Sequence, residues 1–164
     1  MSSVKMSEII VRHATEADCL RVLELMKELA DFEGYLDKFR VTTDSLKHQY
    51  ICEKRFHILV AEHEKRVEGI LVYYFLPFTY DLTPWLFIKE LYVSGHCRGN
   101  GAGEQLFRHA RLECLALGGT KMKWEVLADN KRAQSFYAKQ GALTEQAWQT
   151  MSLPVKGHWK KLAQ

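Results

Sequence analysis

The 164 residues are 47% hydrophobic, and a formal charge of +3 arises from 23 basic and 20 acidic residues mixed along the chain; that is the size and apolar share of one domain with a sizeable core, with no basic block to attract nucleic acid or an anionic membrane. No apolar run approaches the roughly 18–20 residues of a membrane span, and Met1–Ser7 lacks the order of a signal peptide. Cys19, Cys52, Cys97 and Cys114 lie far apart without a CxxC pair, which suggests neither a zinc site nor a disulfide framework and implies a reduced, cytoplasmic protein.

Residues 1–7 read as a disordered segment and residues 8–164 as a single domain. Glu8–Arg12 alternates like a short strand, and Thr15 then precedes a helix predicted to turn Ala17, Leu20, Leu23, Met26, Leu29 and Ala30 to one face. Thr42 or Thr43 caps a short helix over Ser45–Ile51. Phe56–Glu62 and Val67–Phe78 read as strands joined by the charged turn His63–Arg66, a hairpin signal without a Gly or Asn pair. Trp85–Ser94 is a further strand. A glycine-rich turn, Gly95–Gly103, leads into a helix over Ala102–Leu117 with Leu106, Ala110 and Leu117 on its apolar face, stopped by Gly118 and Gly119. Lys121–Leu127 returns as a strand, Asn130–Gln140 as a helix closed by Gly141, and Trp148–Leu153 as a last strand before a polar tail. The order is mixed α/β, with no repeat and no linker. The histidines, His57, His63 and His109 among them, show no metal-ligand spacing, so no metal is expected.

Arg98-Gly99-Asn100-Gly101-Ala102-Gly103 follows a strand and opens a helix. The first turn of a helix has unpaired N–H groups and about half a positive charge, and glycines let an anion approach the backbone, so this turn is a candidate phosphate cradle. It has neither the GK[ST] of a P-loop nor the GxGxxG of a dinucleotide site. A glycine-rich connection that binds nothing is the plain alternative.

Arg98-x-x-Gly101-x-Gly103 resembles motif A, Q/R-x-x-G-x-G/A, of the GNAT superfamily of N-acetyltransferases. Val11-Arg12-His13-Ala14-Thr15 with Asp18, Tyr73-Tyr74-Phe75, the Thr79-Tyr80-Asp81 and Trp85 group, Glu90-Leu91-Tyr92-Val93, and Asn130 through Phe136-Tyr137 to Gly141-Ala142 are similar to its spermidine/spermine and thialysine branch. The likeness spans about residues 8–150. It implies an α/β GNAT fold: a central mixed, largely antiparallel sheet splayed after strand four, with flanking helices. It also implies acetyl-coenzyme A (acetyl-CoA) as co-substrate, a small-molecule primary amine such as a diamine, polyamine or lysine-like amino acid as acceptor, and a homodimer.

The same resemblance implies the site. Leu91, Tyr92 and Val93 would pair with the pantetheine arm as a further strand, and the amides of Arg98, Gly99, Asn100, Gly101, Ala102, Gly103 and Glu104 would hold the pyrophosphate. Asn130 caps its helix and, with Ala133, meets the cofactor. Tyr137 stands at the general-acid position, where a phenol with pKa near ~10 can protonate a thiolate whose thiol has pKa around ~8.5. Glu90 is the candidate base, directly or through water, with Glu33 as the alternative. Phe32, Glu33, Asp81, Trp85, Lys89, Glu90 and Glu125 form the expected acceptor site, carboxylates drawing the amine and aromatic rings packing on its methylenes. The branch usually carries two acids where this chain has Lys89-Glu90, and its glutamate-rich approach to Trp148 is reduced to Glu145-Gln146. Lys89 is expected to pair with Glu125, and the net change weighs against spermine. Other readings are a GNAT enzyme acting on a protein or antibiotic amine, and a non-catalytic acetyl-CoA-binding module.

Overall fold

The computed structural model describes residues 7–155, and the chain divides after Leu127 into two compact units. In the first, five strands stand side by side in chain order: β1 Ile10–His13, β2 His57–His63, β3 Arg66–Leu76, β4 Trp85–Val93 and β5 Lys121–Trp124. The pairs β1–β2, β2–β3 and β3–β4 are antiparallel, and β4–β5 is parallel. The mixed, largely antiparallel sheet is therefore present. The hairpin between β2 and β3 turns on Glu64 and Lys65 at φ 49° and 65°, the doubly left-handed geometry that matches strand twist even without the usual Asn-Gly pair.

Helix α1, Cys19–Phe32, covers one face of the sheet. A single 3₁₀ turn, Glu16–Asp18, precedes it, and Asp18 accepts from the Thr15 N–H at 2.7 Å and from Arg12 at 2.6 Å. Cys19, Val22, Leu23, Leu25, Met26, Leu29 and Ala30 are buried, whereas Leu20, predicted on the apolar face, is 61% exposed. The expected helix over Ser45–Ile51 is the short α2, Thr43–Lys47, followed by a π-helical turn, His48–Cys52. On this side Cys19, Val22 and Leu25 pack with Ile58, Val60, Ile70 and Val72.

Helix α3, Ala102–Ala116, covers the opposite face through Leu106, Phe107, Ala110 and Cys114; Leu117, predicted to be apolar-facing, lies beyond its end and is exposed. A Cβ at Gly69 would sit 3.1 Å from Leu106 and 3.3 Å from Val93, so a bare backbone at β3 lets α3 lie close on the sheet.

The second unit holds α4, Lys131–Lys139, capped by the Asn130 side chain, which accepts from the Ala133 N–H at 3.0 Å. Gly141 follows at φ 90°, a left-handed stop. The strand predicted over Trp148–Leu153 is not formed. Trp148, Met151 and Leu153 stay exposed, and apolar alternation alone does not make a strand. The expected disorder of residues 1–7 and the polar tail fall largely outside the described residues.

Candidate active site

The glycine turn has the required local shape. Gly99 and Gly101 lie at φ +83° and +81°, with open space where each Cβ would be. Gly101 precedes α3, and its carbonyl accepts from the Gln105 N–H at 3.0 Å. Among the described residues no backbone acceptor meets the N–H groups of Gly101, Ala102, Gly103 and Glu104, so four donors converge at a helix entrance. The Arg98 side chain folds back on β4: Nε donates to the Val93 carbonyl at 3.1 Å, and the guanidinium carbon lies 5.6 Å from the centre of the Tyr92 ring.

A buried polar network fastens this turn to the sheet. Ser94 follows β4; its N–H donates to the Glu68 carbonyl and its hydroxyl to the Glu68 carboxylate, which also takes Arg21 at 3.1 Å and Arg66 at 3.4 Å. Burial alone would raise the Glu68 carboxyl, but the Ser94 hydrogen bond and the two guanidinium groups hold it below its ordinary value. The Cys97 N–H then donates to the Ser94 carbonyl, and Cys97 is buried. Glu68 is thus a positioning residue for the turn. For the acetyl-CoA that the resemblance implies, Glu68→Ala is expected to weaken binding about tenfold in calorimetry while kcat at saturation stays within about twofold, and Glu68→Gln to fall between. Unchanged affinity in a folded Glu68→Ala protein would contradict that role.

The sheet opens beside the turn. The parallel pairing of β4 with β5 runs from Trp85 opposite Lys121 to Ile88 opposite Trp124 and stops there, although β4 continues to Val93. Lys89–Val93 therefore has no strand partner on that side among the described residues, and alternate backbone groups point into the gap. At the same place β4 bulges. Val72 faces Glu90 and Tyr73 faces Ile88, which leaves Lys89 as the extra residue. The bulge changes the strand's phase and brings Phe87 and Glu90 to the same cavity; strict alternation would have put them on opposite faces.

That cavity, of about 570 Å³, is lined mainly by apolar residues of α1, α2 and the strands, with Lys89, Glu90 and Glu125 as its charges. Glu90 is half-buried, but its Oε2 is enclosed and has no hydrogen-bond partner among the described residues. Burial pushes its carboxyl up to about 7, with Lys89 pulling it down and Glu33 adding to the rise. Glu33 is itself raised by partial burial against the pull of Lys89. The Tyr35 phenol is pushed up to about 12 by burial and by the charges of Glu90 and Glu33.

The Acetyltransferase (GNAT) family model matches residues 19–142. The chain belongs to this family. It is 31% identical over 155 residues to thialysine N-epsilon-acetyltransferase of Bos taurus, with 85% of this chain and 88% of that one covered. It is 29% identical over 163 residues to spermidine/spermine N(1)-acetyltransferase-like protein 1 of Homo sapiens, covering 90% of this chain and 23% of that longer one. Among solved structures, an integron cassette protein from the mobile metagenome of V. cholerae superimposes with TM-score 0.76 at 21% identity, covering 94% of this chain and 97% of that one. An aminoglycoside acetyltransferase from a soil metagenomic sample, in complex with sisomicin, gives 0.76 at 17%, covering 90% and 97%. These two show the fold.

In this GNAT acetyltransferase the predicted acceptor residues do not all meet. Lys89, Glu90 and Glu125 line the cavity and Glu33 acts on it electrostatically, whereas Phe32, Asp81 and Trp85 are not part of its wall. Phe32 is 61% exposed. Asp81 Oδ1 accepts from the Thr79 hydroxyl and from the Thr83 N–H and hydroxyl, a turn-fixing pattern in the β3–β4 connection. The Trp85 ring carries the ammonium groups of Lys121 at 4.6 Å and Lys123 at 5.4 Å, so cations of the chain itself occupy its face. Leu91, Tyr92 and Val93 lie on the free stretch of β4, but the Tyr92 hydroxyl donates to Glu28 at 3.0 Å and the Val93 carbonyl is held by Arg98. Lys89 visibly biases Glu33 and Glu90 and shares the cavity with Glu125. Tyr137, on α4 in the second unit, is half-buried with its ring 5.3 Å from that of Phe136. Tyr35 and Glu68 are absent from the sequence expectations. Only their tertiary neighbours, Glu90 for one and Ser94 for the other, distinguish them from ordinary surface residues.

Proposed function

We propose that this GNAT enzyme transfers the acetyl group of acetyl-CoA to the primary amine of a small molecule by direct attack. The observation that carries this is the placing, on one strand, of the free β4 edge leading to the glycine turn and of a buried, unpartnered Glu90 carboxylate oxygen at the bulge. Arg98, Gly99, Asn100, Gly101, Ala102, Gly103 and Glu104 hold the pyrophosphate through backbone donors and helix charge, and Leu91–Val93 run alongside the pantetheine arm. Open space at Gly99 and Gly101 and the unmet N–H groups of α3 fit such a ligand. Asn130 and Ala133 complete the cofactor contacts, as the resemblance implies.

In the reaction Glu90 takes a proton from the ammonium, and the neutral nitrogen attacks the thioester carbon. The tetrahedral oxyanion receives a main-chain N–H of Leu91 or Tyr92, a contribution of ~3–4 kcal/mol for one such donor. Collapse forms the amide, breaks the C–S bond, and passes the Tyr137 proton to the leaving thiolate. No step requires a metal. Lys89 beside Glu90 offsets one carboxylate's attraction for a distant second ammonium, which disfavours spermine relative to compact amines, short diamines and lysine-like amino acids included. Relatives named for thialysine and for spermidine/spermine support a small-amine acceptor. The proposal extends to a homodimer, as the resemblance implies, and to the cytoplasm, as the cysteine usage implies.

Thiol release from acetyl-CoA in the presence of an amine panel tests this reading, with amine-dependent release expected. Tyr137→Phe is expected to keep CoA affinity and lower kcat roughly 10²-fold, the scale of a lost general acid. Full turnover in that variant would remove Tyr137 from the mechanism.

A further inference from the structure

The three charges of the cavity cluster at one end. Lys89 and Glu90 sit at the β4 bulge, and Glu125 follows Trp124, which pairs with Ile88, so Glu125 continues alongside Lys89 where the strands part. Every other lining residue is uncharged. Met26 from α1, Phe39 and Val41 before α2, Leu46 on α2, and Phe56 and Phe87 from the sheet side make a wall with no partner for a second ion. A volume of about 570 Å³ is that of a small-molecule site, and its layout of mainly apolar walls, with Ser45, Gln49 and Tyr74 as uncharged polar groups and all the charges at one end, orients a ligand by a single charged end.

Resting on the acetyl-transfer reading above, we propose that the preferred acceptor carries a single ammonium on an apolar body, aromatic or branched-alkyl. Its amine lies at Glu90 and its body is enclosed by Met26, Phe39, Leu46, Phe56 and Phe87. A monoamine leaves no charge among these residues, whereas the inner ammonium groups of a polyamine, or the far one of a diamine, must shed water against carbon or stay outside the cavity. The aromatic walls meet an aromatic body edge-to-face or stacked and gain from its full burial. Lys89 serves the same selection by leaving at the charged end attraction for one ammonium rather than two.

The test compares 2-phenylethylamine, cadaverine, lysine and spermine with the full chain, by calorimetry in the presence of CoA and by kcat/KM for thiol release from acetyl-CoA. The expected order puts 2-phenylethylamine at least about tenfold above cadaverine and lysine and about a hundredfold above spermine. Val41, 37% exposed, admits a larger side chain without disturbing the core. Val41→Trp is expected to raise KM for 2-phenylethylamine at least about tenfold with CoA affinity and Tm unchanged, and Gln49→Leu, which removes a polar lining group, to tighten its binding. Equal or tighter binding of cadaverine, lysine or spermine overturns the inference, as does a folded Val41→Trp protein with unaltered amine preference. Absence of transfer to every amine overturns the acetyl-transfer reading instead, and the calorimetric order then decides the cavity's preference on its own.

Discussion

Glu90→Gln is expected to lower kcat about 10³-fold while stabilising the protein at alkaline pH. A general base supplies about 10²- to 10⁴-fold when its pKa lies near the working pH, and the amide keeps the shape of the carboxylate but takes no proton. The charges that act on Glu90 are Lys89 beside it and Glu33, and Glu90 in turn acts on Tyr35, with Glu125 in the same cavity. In the wild type, kcat/KM should rise with pH through about 7 as the carboxyl loses its proton, and the Gln variant should lack that limb. The stability effect has the opposite sign. A carboxyl whose folded pKa of about 7 exceeds its ordinary 4.5 binds its proton more tightly in the folded chain. Its stabilising contribution is full below about pH 4.5 and is lost as the pH rises through about 7. The loss is on the order of 3 kcal/mol, the scale set by raising the carboxyl from 4.5 to about 7. Thermal unfolding should therefore give a higher Tm for Glu90→Gln than for wild type at pH 8.5 and nearly equal values at pH 5. A variant that keeps full activity, or one with no Tm gain at pH 8.5, contradicts the buried-base assignment. A site that stores such strain is consistent with function outweighing local stability.

Gly101→Glu is expected to abolish measurable CoA binding. Gly101 holds φ +81° at the entrance of α3, a conformation in which a side chain costs about 1 kcal/mol or more. Open space around it means that the added side chain finds no steric obstacle and projects from the turn that receives the pyrophosphate. Two like charges at ~4 Å repel by about 4 kcal/mol at an effective dielectric of 20, so affinity should fall roughly a thousandfold. Gly101→Ala, which adds backbone strain without charge, should lose about tenfold or less. Calorimetry on both variants separates the two causes, and equal affinities would show that charge at the turn is irrelevant.

The parts of this design that were legible in the sequence are those written in local spacing. The glycine turn, the hairpin at His63–Arg66, the helix ends at Gly118 and Gly141 and the order of strands all depend on residues within a few positions of one another. Phase was harder to read. Leu23, Met26, Leu29 and Ala30 of α1 are buried as expected, but Leu20 lies to the side of that stripe and faces solvent while Val22 and Leu25 join the core, and no propensity distinguishes those leucines. The apolar alternation of Trp148–Leu153 suggested a strand that is not formed, because alternation by itself does not specify a pairing partner. The bulge at Lys89 is a tertiary fact of the same kind. It aligns Glu90 with Phe87 and shapes the charged end of the cavity. Tyr35 and Glu68 owe their importance to partners 55 and 26 residues away, Glu90 and Ser94, and such pairings are invisible to periodicity.

Hydrogen–deuterium exchange with and without acetyl-CoA tests the central assignment most directly, because the proposed contacts are made by backbone amides. Bound acetyl-CoA should slow exchange in two separate segments, Leu91–Val93 on the free edge of β4 and Gly99–Glu104 at the entrance of α3, with Gly101→Glu losing both effects. Tight binding of acetyl-CoA with protection elsewhere and none in these two segments would contradict it.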